Sequence, residues 1–185
     1  MSSPAAIPRN RLIPPTGDFT VVTRLAVLPL LFLFSTANAD LTLESGLGHQ
    51  GEMEYRVGER FQLSQNWQLD TGALAVRYKD EHYDRQYKDA GPSGHVFALD
   101  AVLLRQVRLG DSVYLVAGTG PSVWSHASFG AQKHGHAWMF SNKVGVNWAV
   151  TDKLELGLGV QHYSCLWCKP NSSIDFVGMQ LAWRF

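Results

Sequence analysis

LELGLGVQHYS, residues 154–164, places Leu154, Leu156, Leu158 and Val160 at even positions and Glu155, Gly157, Gly159 and Gln161 between them. A period of two is the side-chain period of a β-strand, so one face of this segment is apolar and the other is polar or bare. The same pattern recurs in IDFVGMQLAWRF, residues 174–185, where Val177, Met179, Leu181, Trp183 and Phe185 oppose Gly178, Gln180, Ala182 and Arg184. Over 143–150, Val144, Val146, Trp148 and Val150 oppose Lys143, Gly145 and Asn147. Over 53–63, Met53, Tyr55, Val57, Phe61 and Leu63 oppose Arg56, Gly58, Arg60 and Gln62.

Apolar faces opposed by Arg, Lys, Glu and Gly suit a narrow barrel with a polar, side-chain-filled interior and a lipid-facing exterior. The reading is all-β: an eight-stranded antiparallel transmembrane β-barrel. Its strands are expected near 41–51, 53–63, 67–79, 95–109, 112–122, 137–150, 154–164 and 174–185. The connections alternate in length. Ser64-Gln65-Asn66, Gly110-Asp111 and Thr151-Asp152-Lys153 are short, whereas 80–94, 123–136 and 165–173 are long. Outer-membrane barrels turn tightly on the periplasmic side and loop out on the other, so both termini are expected in the periplasm. Trp67, Tyr78, Trp124, Trp138 and Trp183 lie near strand ends and are expected in interfacial girdles.

The N-terminus supports export. Leu25–Phe34 is apolar, follows Arg24 and ends in Ser35-Thr36-Ala37-Asn38-Ala39, the order of a secretory signal peptide. The run is far short of the roughly 20 residues of a spanning helix. Residues 1–39 are therefore expected to be leader and cleaved signal peptide, and 40–185 the outer-membrane barrel, with a later start at Val21 or Val22 one way to explain the long leader. Formal net charge +0, with 16 basic and 16 acidic residues scattered along the chain, leaves no basic stripe for nucleic acid.

Candidate chemistry emerges from following strand parity upward. His162 and Ser164 continue the even, outward series of Leu154–Val160, and Asp175 belongs to the odd, outward series of the last strand. Residues two apart on a strand are neighbours, and opposite residues of antiparallel strands have Cβ atoms about 5 Å apart. His162 is thus expected to reach both Ser164 and Asp175, forming a Ser-His-acid constellation in which the imidazole takes the hydroxyl proton and the carboxylate fixes its tautomer. The plainer reading of the three is polar residues at the headgroup rim.

His162-Tyr163-Ser164, Lys169-Pro170-Asn171, Ile174-Asp175, the segment Glu52–Gly58 and the segment Phe140–Gly145 together resemble the PagL-type lipid A 3-O-deacylases. These are small outer-membrane barrels whose active site faces the outer leaflet. The resemblance covers most of the mature chain. It implies Ser164 as nucleophile, His162 as general base, Asp175 at the acidic position, Asn171 and backbone N–H groups of 165–173 as oxyanion donors, lipid A of lipopolysaccharide as substrate, and no cofactor. The family usually shows Asn and small residues after its serine and Glu as its acid, where this chain has Cys165-Leu166-Trp167-Cys168 and Asp175. The alternative is a small non-enzymatic barrel used in adhesion or membrane integrity.

Cys165 and Cys168 are the only cysteines; a loop disulfide is the plain reading for an exported chain, and a metal site with His162 lacks a fourth ligand. His126, His134 and His136 show no ligand spacing, so no metal is expected. The cluster KDEHYDRQYKD at 79–89 reads as a solvated loop, with lipopolysaccharide headgroups or their divalent cations as possible contacts.

Overall fold

The structure, a computed structural model, describes residues 39–49, 51–78, 94–126, 128–129, 132–133, 136–165, 167–168 and 173–185. Apart from Ala39, the leader and signal peptide lie outside these residues, as do the 79–89 charge cluster, His134 and Asn171.

Eight antiparallel strands form a closed barrel. They are β1 (Ala39–Gly48), β2 (Met53–Ser64), β3 (Trp67–Arg77), β4 (His95–Arg108), β5 (Val113–Trp124), β6 (Trp138–Ala149), β7 (Leu154–Ser164) and β8 (Ile174–Arg184). Each pairs with its sequence neighbour, and β8 closes on β1 through the register Asp40↔Arg184 to Gly48↔Phe176. Closure leaves no unpaired edge, which is what a sheet needs inside a bilayer. A short two-stranded hairpin, Ser128–Phe129 with Gln132–Lys133, stands in the β5–β6 connection. Among the described residues no helix is long and apolar enough to cross a membrane.

The expected alternation holds around the wall. Leu43, Leu47, Leu99, Leu103, Leu115, Val144, Val146, Leu156, Leu158, Val177 and Met179 are exposed on the outside, where lipid replaces water. Inside, Arg56 donates to Glu44, Asp70 and Asp100 at 2.8–3.0 Å. Lys143 donates to Glu44 at 2.6 Å and to Asp70 at 3.3 Å, and Arg60 donates to Glu155 and Gln180 at 2.6 Å. A buried charge is tolerated when every neighbour compensates it, and here cations from β2 and β6 are caged by carboxylates from β1, β3, β4 and β7.

Four inward glycines form a row across β6, β7, β8 and β1, through the pairs Gly145↔Gly159, Gly159↔Gly178 and Gly178↔Gly46. A Cβ on Gly178 would stand 2.3 Å from the carbonyl oxygen of Ser45, and one on Gly145 2.7 Å from that of Leu158. The wall bends too sharply there for a side chain, as glycine kinks in closed sheets do.

Two expectations need correcting. The interior is not polar throughout: apolar side chains pack its long-loop end around the buried Glu54, which accepts a hydrogen bond from the Tyr163 hydroxyl at 2.8 Å. At the long-loop end Leu74, Val76, Tyr78, Val96, Ala98, Trp124, Met139, Tyr163, Ile174 and Phe176 fill it with an apolar plug. Trp124 and Tyr78, expected in the interfacial girdle, belong to that plug, with exposures of 2% and 6%. Trp124 stacks edge-on against Tyr163 at 4.9 Å and gives its indole N–H to Ser122 at 3.1 Å. Trp67, Trp138 and Trp183 do stand exposed on the outside.

Candidate active site on the outer wall

The plug closes the interior to substrate. Deeper in the barrel, the gap bounded by Glu44, Lys143, Phe176 and Gln180 measures about 30 Å³, enough for a water or two and far too small for an acyl chain. A polar vestibule of about 950 Å³ opens at the opposite, short-turn end, lined by Arg60, Gln68, Gln106 and Glu155. The candidate residues lie elsewhere, on the outer face of β7 and β8 near the long-loop end.

Asp175 stands directly opposite His162 in the β7–β8 register. The pair is in contact, with His162 Nδ1 2.6 Å from Asp175 Oδ1. Opposite residues need little reach, so an aspartate suffices where a longer acid is usual in the family that the sequence resembles. The side chains of His162 and Asp175 are 37% and 52% accessible, consistent with an outward position at the wall. Ser164 lies two residues beyond His162 on the same face, at 8% exposure. Among the described residues no hydrogen bond joins the Ser164 hydroxyl to His162, whose Nδ1 is taken by Asp175. Catalytic hydrogen bonds of this kind are often open without substrate and close when it binds.

The wall around Ser164 is aromatic. Phe140 is its partner across the β6–β7 register, and Trp167 packs edge-on against Phe140 with ring centroids 6.0 Å apart. Trp167 sits between Cys165 and Cys168, which are joined by a disulfide with Cα atoms 5.4 Å apart. Both cysteines are buried with Tyr163, Ile174 and Phe176, so the bond fastens the start of the post-serine loop to the plug. Thiol labelling of intact cells is expected to leave both cysteines unmodified until reductant is added; labelling without reduction would show them free.

His126 shares a 3.0 Å hydrogen bond between its Nδ1 and Ser125 Oγ. Among the described residues no group of three His, Cys, Asp or Glu side chains is placed to hold a metal.

Asn142, a polar residue on this face, escaped the sequence reading. Asn142 stands opposite His162 on the β6 side, as Asp175 does on the β8 side. Counting back by two from Val144 finds it.

Residues 46–184 match the family of lipid A 3-O-deacylases (PagL). The chain belongs to that family. Membership makes it a lipid A deacylase, a hydrolase of the outer membrane. Among solved structures, that of the outer membrane enzyme PagL superposes with a TM-score of 0.56 at 21% identity, covering 79% of this chain and 99% of the other. Neisserial surface protein A gives a TM-score of 0.53 at 12% identity, covering 80% and 94%. A designed transmembrane β-barrel gives 0.51 at 10% identity, covering 79% and 95%. These likenesses speak for the barrel fold alone, since proteins of different purpose share it. No curated protein sequence matches the chain.

Proposed function

We propose that this deacylase removes a 3-hydroxyacyl chain from lipid A in the outer leaflet by serine ester hydrolysis, with Ser164 as nucleophile, His162 as general base and Asp175 as the acid that orients it. The observation that carries this reading is the 2.6 Å contact of His162 with Asp175 on the outer wall, with Ser164 next on the same face. The Ser164 Oγ attacks the ester carbonyl carbon while His162 takes the hydroxyl proton at Nε2. The tetrahedral intermediate collapses, breaking the bond from carbonyl carbon to sugar oxygen, and His162 gives that oxygen its proton. A water then attacks the acyl-serine, His162 again taking and returning a proton, and the free fatty acid leaves.

Asp175, accepting from Nδ1–H, holds Nε2 unprotonated toward Ser164 and stabilises the imidazolium of each step. The oxyanion donors proposed from the sequence, Asn171 and the backbone N–H groups of 165–173, include Asn171, residue 166, residues 169–170 and residue 172 outside the described residues. No cofactor is required by this chemistry. A lipid-facing triad suits a substrate whose acyl chains already lie along the barrel wall, so the ester arrives by lateral diffusion.

The chain-level test is the lipid A itself. Mass spectrometry of lipid A from cells expressing the protein should show species lighter by one 3-hydroxyacyl chain than those from cells lacking it. Unchanged lipid A, together with inactivity of the purified protein on lipid A in detergent, would favour the non-enzymatic barrel.

A further inference from the structure

Cys165 directly follows Ser164, and its disulfide to Cys168 cross-links the start of the loop beyond β7. Both cysteines are buried, at 7% and 6% exposure, whereas Trp167 between them is 82% exposed. With the two cysteines packed into the plug, the short segment that joins them carries the indole outward over the wall. It stands beside the nucleophile: Trp167 meets Phe140 edge-on at 6.0 Å, and Phe140 is the register partner of Ser164. Ser164 ends β7, and Trp167 belongs to the turn after it, on the long-loop side of the serine.

A membrane anchor does not need this arrangement. Tryptophan is common where a barrel wall meets the headgroups, and Trp67, Trp138 and Trp183 are exposed on the wall from ordinary strand positions. Trp167 is carried instead on a cross-linked turn three residues from the nucleophile. Fixing a side chain before its ligand arrives removes the entropy that ordering it would cost, which serves recognition and adds nothing to anchoring.

We infer that Trp167, presented by the Cys165–Cys168 disulfide, is the stacking platform for the sugar ring that carries the scissile ester. This rests on the proposed role of Ser164 and on a substrate in the outer leaflet. An ester at the leaflet surface has two sides. Its acyl chain runs down along the wall, and its alcohol oxygen belongs to a sugar that stays at headgroup level. A carbonyl carbon held at Ser164 therefore puts the sugar on the long-loop side, where Trp167 stands. One face of a pyranose presents C–H bonds polarised by the oxygens around the ring. Such C–H groups are drawn to the electron-rich face of an aromatic ring, as the positive edges of other aromatic rings are. With 82% of its surface open, Trp167 has that face to offer, and its contact with Phe140 braces the indole against the wall.

The test uses purified protein in detergent micelles and two esters of the same 3-hydroxyacyl chain, one on the lipid A sugar and one on glycerol. The readout is the ratio of their kcat/KM values, sugar over glycerol, relative to wild type, so that the intrinsic difference between the two leaving groups cancels. Trp167→Leu, which keeps an apolar side chain for the membrane, should lower the ratio roughly fivefold, the size of one aromatic contact. Trp167→Tyr keeps an aromatic face and should retain most of the wild-type ratio. Removing the disulfide, by Cys165→Ala with Cys168→Ala or by reduction of the assembled protein, should lower the ratio in the same direction. Heat-modifiable mobility verifies that each barrel assembles. An unchanged ratio in Trp167→Leu overturns the platform, and an equal fall on both esters makes Trp167 a membrane anchor. A Trp167→Tyr ratio as low as that of Trp167→Leu overturns stacking as the cause. An unchanged ratio without the disulfide overturns its part in presenting the ring. Wild-type inactivity on both esters, or activity that survives Ser164→Ala, overturns the serine mechanism itself and the platform with it.

Discussion

Ser164→Ala is expected to abolish release of the 3-hydroxyacyl chain from lipid A, with a loss on the order of 10⁶-fold in kcat, the scale seen when a serine hydrolase loses its nucleophile. His162→Ala should be similarly inactive, and the double variant should be no worse than either single one, because groups that act as a unit lose their contribution together. Assembly should be unaffected. Both side chains stand on the outer wall near the long-loop end, away from the caged charges that hold the interior, so neither replacement opens a core cavity. The measurement is single-turnover release of fatty acid from purified lipid A, with heat-modifiable mobility as the folding check. Activity within a hundredfold of wild type in Ser164→Ala would exclude Ser164 as nucleophile. On β7 and β8 no other serine shares the outward face of His162, so the mechanism would go with it.

The features of the chain that were legible in the sequence share one property: they depend on parity. Leu154 to Val160 and Val177 to Trp183 alternate against Gly, Gln and Glu, and the structure places each series outside. Because parity continues along a strand, it also placed His162, Ser164 and Asp175 on one face, and the β7–β8 register brings two of them into contact. The rule that apolar means outward fails where the barrel fills its own long-loop end with apolar side chains. On β3 the inward Leu74 and Val76 are larger than the outward Ala73 and Ala75, so hydrophobicity alone points the wrong way. Tyr78 follows them inward. On β5 the two faces are nearly equal in hydrophobicity, and only counting from the exposed Leu115 and Val123 puts Trp124 inside. Neighbour identity across strands was the other missing quantity. Asn142 stands opposite His162, and a register is set by the whole closed barrel.

Arg56→Ala is expected to cost about 3–5 kcal/mol of stability, the scale for removing one partner from a buried ionic cluster. The guanidinium is fully enclosed and donates to Glu44, Asp70 and Asp100 from three strands. Lys143 also reaches Glu44 and Asp70, so those two carboxylates keep a cation. Asp100 loses its cationic partner and, among the described residues, retains the distant amide of Gln161 at 3.4 Å. The loss is measurable as a lower urea midpoint for the barrel in micelles, and a shift worth less than about 1 kcal/mol would show that the cluster does not hold the strands. A second substitution isolates the geometry. Gly72 faces Arg56 so closely that a Cβ there would lie 2.6 Å from the guanidinium carbon, which its carboxylates do not let move. Gly72→Ala should therefore cost about 1–3 kcal/mol by overpacking in the wild-type barrel. In the Arg56→Ala background the obstacle is gone, and the same replacement should cost little. A Gly72→Ala penalty of equal size in both backgrounds would mean that backbone strain, and not the caged arginine, keeps a glycine at that position.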